Sequence, residues 1–299
     1  MVKKKGGRKM AKIRSVRAWR SIGKAEIGAW LPRRPADAHK GDFGRVLLLC
    51  GAVGYTGAAV LAAQAAARTG AGLVFAGVAR TAYPIVAGKL LSPVVFPLPD
   101  EAGMLSEEAI PEILERLRGC DACLIGCGLG RSEGVRRVVE VVLTHAPCPV
   151  VVDADGINAL QGHIDVVRGA ACPVILTPHD GEFARLMGDM PSDDRRRAAW
   201  ALHERTGATV LLKGHRTLIC GDDECYVNRC GNPGMATGGS GDVLAGIIVS
   251  LLGQGLPPVR AAAAGAWLHG TAGDLCARRL GEYGLLPEDL IGALPRLLK

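Results

Sequence analysis

The sequence predicts an α/β fold in three layers, a mostly parallel central sheet covered by helices on both faces. Three observations predict it. Short continuous apolar runs recur along the chain, as strands buried on both faces require. Longer helix-like segments separate several of these runs, the pattern of repeated β-α units. The conspicuous glycines and polar residues follow directly after the runs, where open α/β sheets bind their ligands.

Taken in order, Arg45–Cys50 (RVLLLC) reads as a buried strand, and Gly51–Gly57 as a glycine-punctuated turn. Ala58–Thr69 is an alanine-rich helix ended by Gly70 and Gly72, and Leu73–Val78 is the next strand. Further strands are expected at Ala122–Gly126, Val150–Val152, Val174–Leu176 and Thr209–Leu212. Helices are expected at Glu107–Arg118, Gly134–Thr144, Asp194–Thr206 and Pro257–Arg279. No repeat or linker interrupts residues 21–299, so they are expected to form a single domain.

The 299 residues, 48% of them hydrophobic, suffice for a large core. The net charge of +7 invites a nucleic-acid reading, but it is unevenly spread. Nine of the 36 Lys and Arg fall in residues 1–20, which hold no acid; the remaining 27 face 29 acidic residues. Residues 1–20 are thus expected to be a basic, solvated and disordered tail on a near-neutral body. As a polyanion-binding arm the tail would be an accessory, since no aromatic platform accompanies it and nucleic acid is not an expected partner. The ten cysteines sit in a large chain without a recognisable signal peptide or membrane-spanning run, which predicts reduced thiols and a cytoplasmic location.

The sharpest motif is Asn232-Pro-Gly-Met-Ala-Thr-Gly-Gly-Ser-Gly-Asp242, followed by apolar residues at Val243, Leu244, Ile247, Ile248, Leu251 and Leu252. That spacing is one face of a helix. Gly239, Ser240 and Gly241 then lie at a helix N-terminus, where free amides and the dipole attract phosphate. Asp242 is read as a helix cap or as a general base beside an anion hole. Four glycines in the eight residues before it favour the second. A basic turn, Lys213-Gly214-His215-Arg216-Thr217, follows the strand at Thr209–Leu212 and is either a phosphate-binding element or an exposed turn.

These segments resemble the ADP/ATP-dependent NAD(P)H-hydrate dehydratase family, a branch of the ribokinase-like fold. The likeness runs in order through His39–Gly44, Gly54–Ala59, Gly70–Val74, Gly126–Gly130, Asp153–Asp155, Asn158–Leu160, Thr177–His179, Gly181–Phe183, Lys213–Gly214 and Asn232–Asp242. It implies a carbon–oxygen lyase that restores NAD(P)H from its (S)-hydrate at the expense of ADP or ATP, with ADP favoured, AMP and phosphate released, and Mg2+ accompanying the nucleotide. On this likeness Asp242 is the base. Ala58, Gly128, His179 and Asp242 contact the hydrated dinucleotide. Lys213, Gly214, His215, Arg216 and Thr217 hold the nucleotide, with the amides of Gly239, Ser240 and Gly241 on the phosphoryl group. No metal-ligand cluster stands out; Asp153, Asp155 and Glu182 are indirect contributors. The family likeness also implies a homo-oligomer such as a tetramer, and a separate epimerase in the same pathway, because a stretch of 20–40 residues ahead of the matching body is expected to be too short for the fused one.

The chain departs from the family pattern in three places: Asp180 and Cys127 stand where proline is usual, and Cys50-Gly51-Ala52 where Gly-Gly-Ser is common. Asp180 adds a negative charge beside His179, which is either a substrate contact or a structural residue. Two rival enzymes remain. Val46–Val60 mimics the glycine turn of short-chain reductases, but none of the four tyrosines is followed four residues later by lysine. A small-molecule kinase would share the phosphate loop and base, so Asp242 does not separate it from the dehydratase.

Overall fold

The computed structural model describes residues 18–188 and 194–298. Twelve strands are formed by these residues: β1 (Trp19–Ser21), β2 (Arg45–Leu49), β3 (Leu73–Ala79), β4 (Val94–Leu98), β5 (Asp100–Glu101), β6 (Met104–Leu105), β7 (Ala122–Ile125), β8 (Val150–Val152), β9 (Val174–Leu176), β10 (Thr209–Leu212), β11 (Leu218–Cys220) and β12 (Cys225–Val227). Ten of them make one sheet in the order β1-β12-β11-β10-β9-β8-β7-β2-β3-β4, while β5 and β6 pair as a small hairpin. All neighbours from β10 to β4 are parallel; only β11 runs against β10 and β12.

Alternation along the strands divides the core in two. Val46, Leu48, Val151, Ile175 and Leu211 face one way, against helices Thr56–Arg68, Ser240–Gly253, Pro258–Leu280 and Pro287–Leu297. Leu47, Leu49, Val150, Val152, Leu176 and Leu212 face the other, against Ile110–Leu117, Glu133–His145 and Arg195–Thr206. The predicted three layers and mostly parallel sheet are therefore present. On the first side, Thr56–Arg68 and Ser240–Gly253 approach so closely that a methyl on Gly246 would lie 2.3 Å from the Ala62 carbonyl oxygen. That contact seats the start of helix Ser240–Gly253 over the carboxyl ends of β2 and β7.

Strands β2 and β7 are also where the order reverses: β3 and β4 extend one way, β8, β9 and β10 the other. Such a switch point opens a crevice between neighbouring loops, here Gly51–Tyr55 and Gly126–Gly130.

The boundary of the basic tail needs correction. Trp19 and Arg20 belong to β1, which pairs in parallel with β12 through Trp19 opposite Cys225 and Arg20 opposite Tyr226. Arg20 donates to the Tyr226 hydroxyl at 2.9 Å and to Glu224 at 3.3 Å. A count of charges does not register three residues that satisfy the open edge of a sheet. Residues 1–17, the rest of the expected disordered tail, lie outside the described residues. Among the described residues no helix is long and apolar enough to cross a membrane.

Candidate active site

The glycine loop ends as the sequence suggests. Helix Ser240–Gly253 has Gly239 as its N-cap with φ 92°, a left-handed conformation that an L side chain rarely adopts, and no side chain caps the helix. Asp242 is thus the third residue of the helix rather than its cap. The Ser240 hydroxyl is within 3.2 Å of His269 Nε2. Burial drives the His269 imidazole down to about 4, so it is neutral at physiological pH.

Tertiary packing surrounds Asp242 with residues from three other loops. Cys127, Asp153 and Asp242 bring one ligand-type atom each within 4.8 Å of one another. Asp153, 1% exposed, follows β8 and is the hub: Thr177 Oγ1 and Lys213 Nζ both donate to its Oδ1 at 2.7 Å, and Cys127 Sγ lies 3.6 Å from Oδ2. Glu182 Oε2 stands 3.7 Å from the same ammonium. A methyl on Gly241 would sit 3.6 Å from Lys213 Nζ and 4.0 Å from Asp153 Oδ2, so the loop amides and the lysine face one space.

The charges tune one another. Burial, and then the Asp153 carboxylate, push the Asp242 carboxyl from 3.8 to about 6; Cys127 and Lys213 oppose the rise. Burial alone would lower Lys213, but Asp153 and Glu182 outweigh it and hold the ammonium above the ordinary lysine range. The Cys127 thiol, hydrogen-bonded to Cys50 and buried, is raised and stays protonated. An acid near neutrality beside an anchored cation and the start of a helix suits general-base chemistry on an incoming phosphoryl group.

Gly128, φ 62°, lies against helix Thr56–Arg68: a methyl on it would meet the Ala58 Cβ at 2.9 Å, so Ala58 and Gly128 line one wall. His179 is the N-cap of helix Asp180–Met187, its Nδ1 accepting from the amides of Gly181 and Glu182 at 3.0 and 3.2 Å. That structural task leaves its other ring nitrogen 3.4 Å from Glu182. The turn Lys213–Thr217 is closed by Thr217 Oγ1, which accepts from Gly214 N at 3.3 Å and donates to Gly214 O at 3.0 Å; His215 and Arg216 are exposed on it. Lys213 N donates to Pro178 O at 2.8 Å, tying this turn to the one that carries His179. Asp155 is engaged elsewhere, accepting from Gly130 N at 3.0 Å and Asn158 Nδ2 at 3.1 Å, with Arg131 3.6 Å away.

Sequence reasoning missed Thr177 and His269 as site residues and gave Cys127 no part in the site. A buried threonine or histidine has no local signature; only the partner across the fold reveals its use. Cys127, in place of the usual proline, was visible but had no partner to give it meaning.

The chain matches the family model described as NAD(P)H-hydrate dehydratase over residues 46–296. It is 47% identical over 274 residues to the bifunctional NAD(P)H-hydrate repair enzyme of Moorella thermoacetica, covering 90% of this chain and 52% of that protein. It is 41% identical over 273 residues to the ADP-dependent (S)-NAD(P)H-hydrate dehydratase of Neisseria meningitidis serogroup B, covering 87% of this chain and 86% of that one. A solved ADP/ATP-dependent NAD(P)H-hydrate dehydratase from Bacillus subtilis, co-crystallised with ATP and Mg2+, superposes with a TM-score of 0.81 at 31% identity, covering 93% of this chain and 97% of that one. The chain spans about half the length of the first curated relatives it matches, which are bifunctional. With a family match over most of its length and a ribokinase-like fold, the chain belongs to the NAD(P)H-hydrate dehydratase family.

Proposed function

We propose that the protein is a carbon–oxygen lyase that converts (S)-NAD(P)H hydrate to NAD(P)H, using ADP and releasing AMP and phosphate, in the cytoplasm. The observation that carries this reading is the raised carboxyl of Asp242 in the first turn behind the Gly239–Gly241 amides, with Lys213 alongside. Hydroxide is a poor leaving group from the saturated nicotinamide ring, and phosphate a good one. Asp242 takes the proton of the ring hydroxyl as its oxygen attacks the terminal phosphorus of the nucleotide. The amides of Gly239, Ser240 and Gly241 meet the charge on the phosphoryl oxygens. The electron pair of the ring nitrogen then expels phosphate to leave an iminium, and the adjacent ring carbon gives up its proton to solvent, placing the new double bond.

The nucleotide lies along Lys213–Thr217, and the hydrated dinucleotide against Ala58, Gly128 and His179. A homo-oligomer and a separate epimerase that supplies the S form complete the reading. Magnesium, which the nucleotide brings, would be met by the Asp153 carboxylate; a hard cation suits oxygen donors and not the Cys127 thiol. When bound it neutralises phosphate charge.

Absorbance recovery at the dihydronicotinamide band, with S-form hydrate, magnesium and either ADP or ATP, tests the proposal and identifies the donor. No recovery with either nucleotide from folded protein would overturn it and turn attention to the kinase reading, through a screen of alternative hydroxyl acceptors.

A further inference from the structure

Arg195, the first residue of helix Arg195–Thr206, has no part in the family likeness or in the chemistry derived above, yet its guanidinium donates five hydrogen bonds. Nε and Nη2 both donate to Asp180 Oδ1, at 3.2 and 3.0 Å. Nη2 also donates to the Lys213 carbonyl at 2.6 Å, with the Leu212 carbonyl 3.4 Å away, and Nη1 donates to the His215 carbonyl at 3.2 Å. One planar fork thus gathers the end of β10, two carbonyls of the basic turn and a carboxylate from the neighbouring loop. Its side chain is 25% exposed, Asp180 53%.

The carbonyls it holds determine where the turn's amides point. In a trans peptide the C=O and the following N–H are directed oppositely. Fixing the His215 carbonyl on Arg195 therefore turns the Arg216 amide to the other side of the turn, where no backbone partner holds it among the described residues. Arg216 adopts φ 57° to do so, an uncommon conformation for a residue with a side chain. Fixing the Lys213 carbonyl in the same way holds the backbone from which Lys213 reaches Asp153. A turn that carries a positive-φ arginine and a glycine at φ 149° would otherwise have several conformations of similar energy.

We propose that Arg195, anchored by Asp180, is the positioning residue of the nucleotide-binding turn: it presets Lys213 and the Arg216 amide for the phosphates of a nucleoside diphosphate or triphosphate. The proposal rests on the reading of Lys213–Thr217 as the nucleotide site. It also gives Asp180 a purpose, since its charge is turned to Arg195.

The test compares wild type with Arg195→Ala, Arg195→Lys, Asp180→Ala and the double alanine variant. Arg195→Ala is expected to raise the KM for ADP or ATP on the order of tenfold to a hundredfold, the loss of a charge-assisted set of hydrogen bonds. The KM for the hydrate should stay within about twofold. Lysine, a point donor, should recover only part of the loss. Asp180→Ala should show a smaller effect of the same kind, and the double variant should be no worse than Arg195→Ala, because Asp180 acts through Arg195. Hydrogen exchange of residues 213–217 in the nucleotide-free proteins is a second readout, expected to quicken in Arg195→Ala. Equal losses for both substrates, an unchanged nucleotide KM, or unchanged exchange in the turn would each overturn the proposal. Wild-type turnover that needs no nucleotide would overturn the nucleotide reading itself, whereas quickened exchange without a change in nucleotide KM would overturn only the role of Arg195 in nucleotide binding.

Discussion

Replacing Asp242 by asparagine is expected to stabilise the protein while removing its turnover. Burial, and then Asp153, raise the carboxyl from 3.8 to about 6. A carboxyl whose pKa is raised by folding holds its proton more tightly in the native state, so ionising it costs stability. The cost is nearly absent below pH 4, where both states are protonated, grows as pH rises towards 6, and is complete above it. At about 1.4 kcal/mol per tenfold in proton affinity, the rise from 3.8 to about 6 is worth about 3 kcal/mol. Asp242 is partly open to solvent, so screening reduces this to about 1–2 kcal/mol. Asparagine has nearly the same shape and never ionises. At about 2 °C per kcal/mol for a chain of this size, the variant should melt about 2–4 °C above wild type at pH 8. By pH 5 the gain should shrink to about half. Thermal unfolding of the nucleotide-free proteins at the two pH values measures it, and turnover in the same samples should fall about 10²–10⁴-fold. A variant that melts at or below wild type at pH 8, or a gain that does not depend on pH, would refute the electrostatic argument; wild-type turnover would refute the base.

Other outcomes follow from the same geometry. The pH profile of kcat/KM should lose activity below about pH 6, as Asp242 takes up its proton. Because Lys213 lowers the Asp242 pKa, Lys213→Met should move that limb to higher pH, and a limb that stays or moves down would contradict the arrangement. His179→Ala should lose about 1 kcal/mol through the missing N-cap, whereas His179→Asn should retain most of it; denaturant midpoints distinguish the two, and a higher hydrate KM in the asparagine variant would separate substrate contact from capping. Gly246→Val, forced against the Ala62 carbonyl, should cost about 3 kcal/mol or more, with calorimetry as the check and a wild-type melting temperature as the contrary result.

The legible part of this protein was local and periodic. Strands β8, β9 and β10 lie where the continuous apolar runs place them, and helix Ser240–Gly253 carries the predicted apolar face. The buried strands bear side chains for both core layers, so their sequences are apolar throughout and easy to see. Strands β1, β11 and β12 were not: their pairing with one another and with β10, rather than their composition, makes them strands.

By itself the sequence determined the layered α/β class, the glycine-lined helix start, and Asp242 as the residue to explain. Tertiary structure alone decided what Asp242 meets. Lys213 reaches Asp153 across 60 positions, Cys127 across 26, and Thr177 across 24. It also decided that His179 caps a helix and that Asp180 holds Arg195. Periodicity records which face of an element is buried, because that is repeated every turn or every second residue. A single ion pair between two loops leaves no such repeat, and only folding the sheet to its switch point brings those loops together.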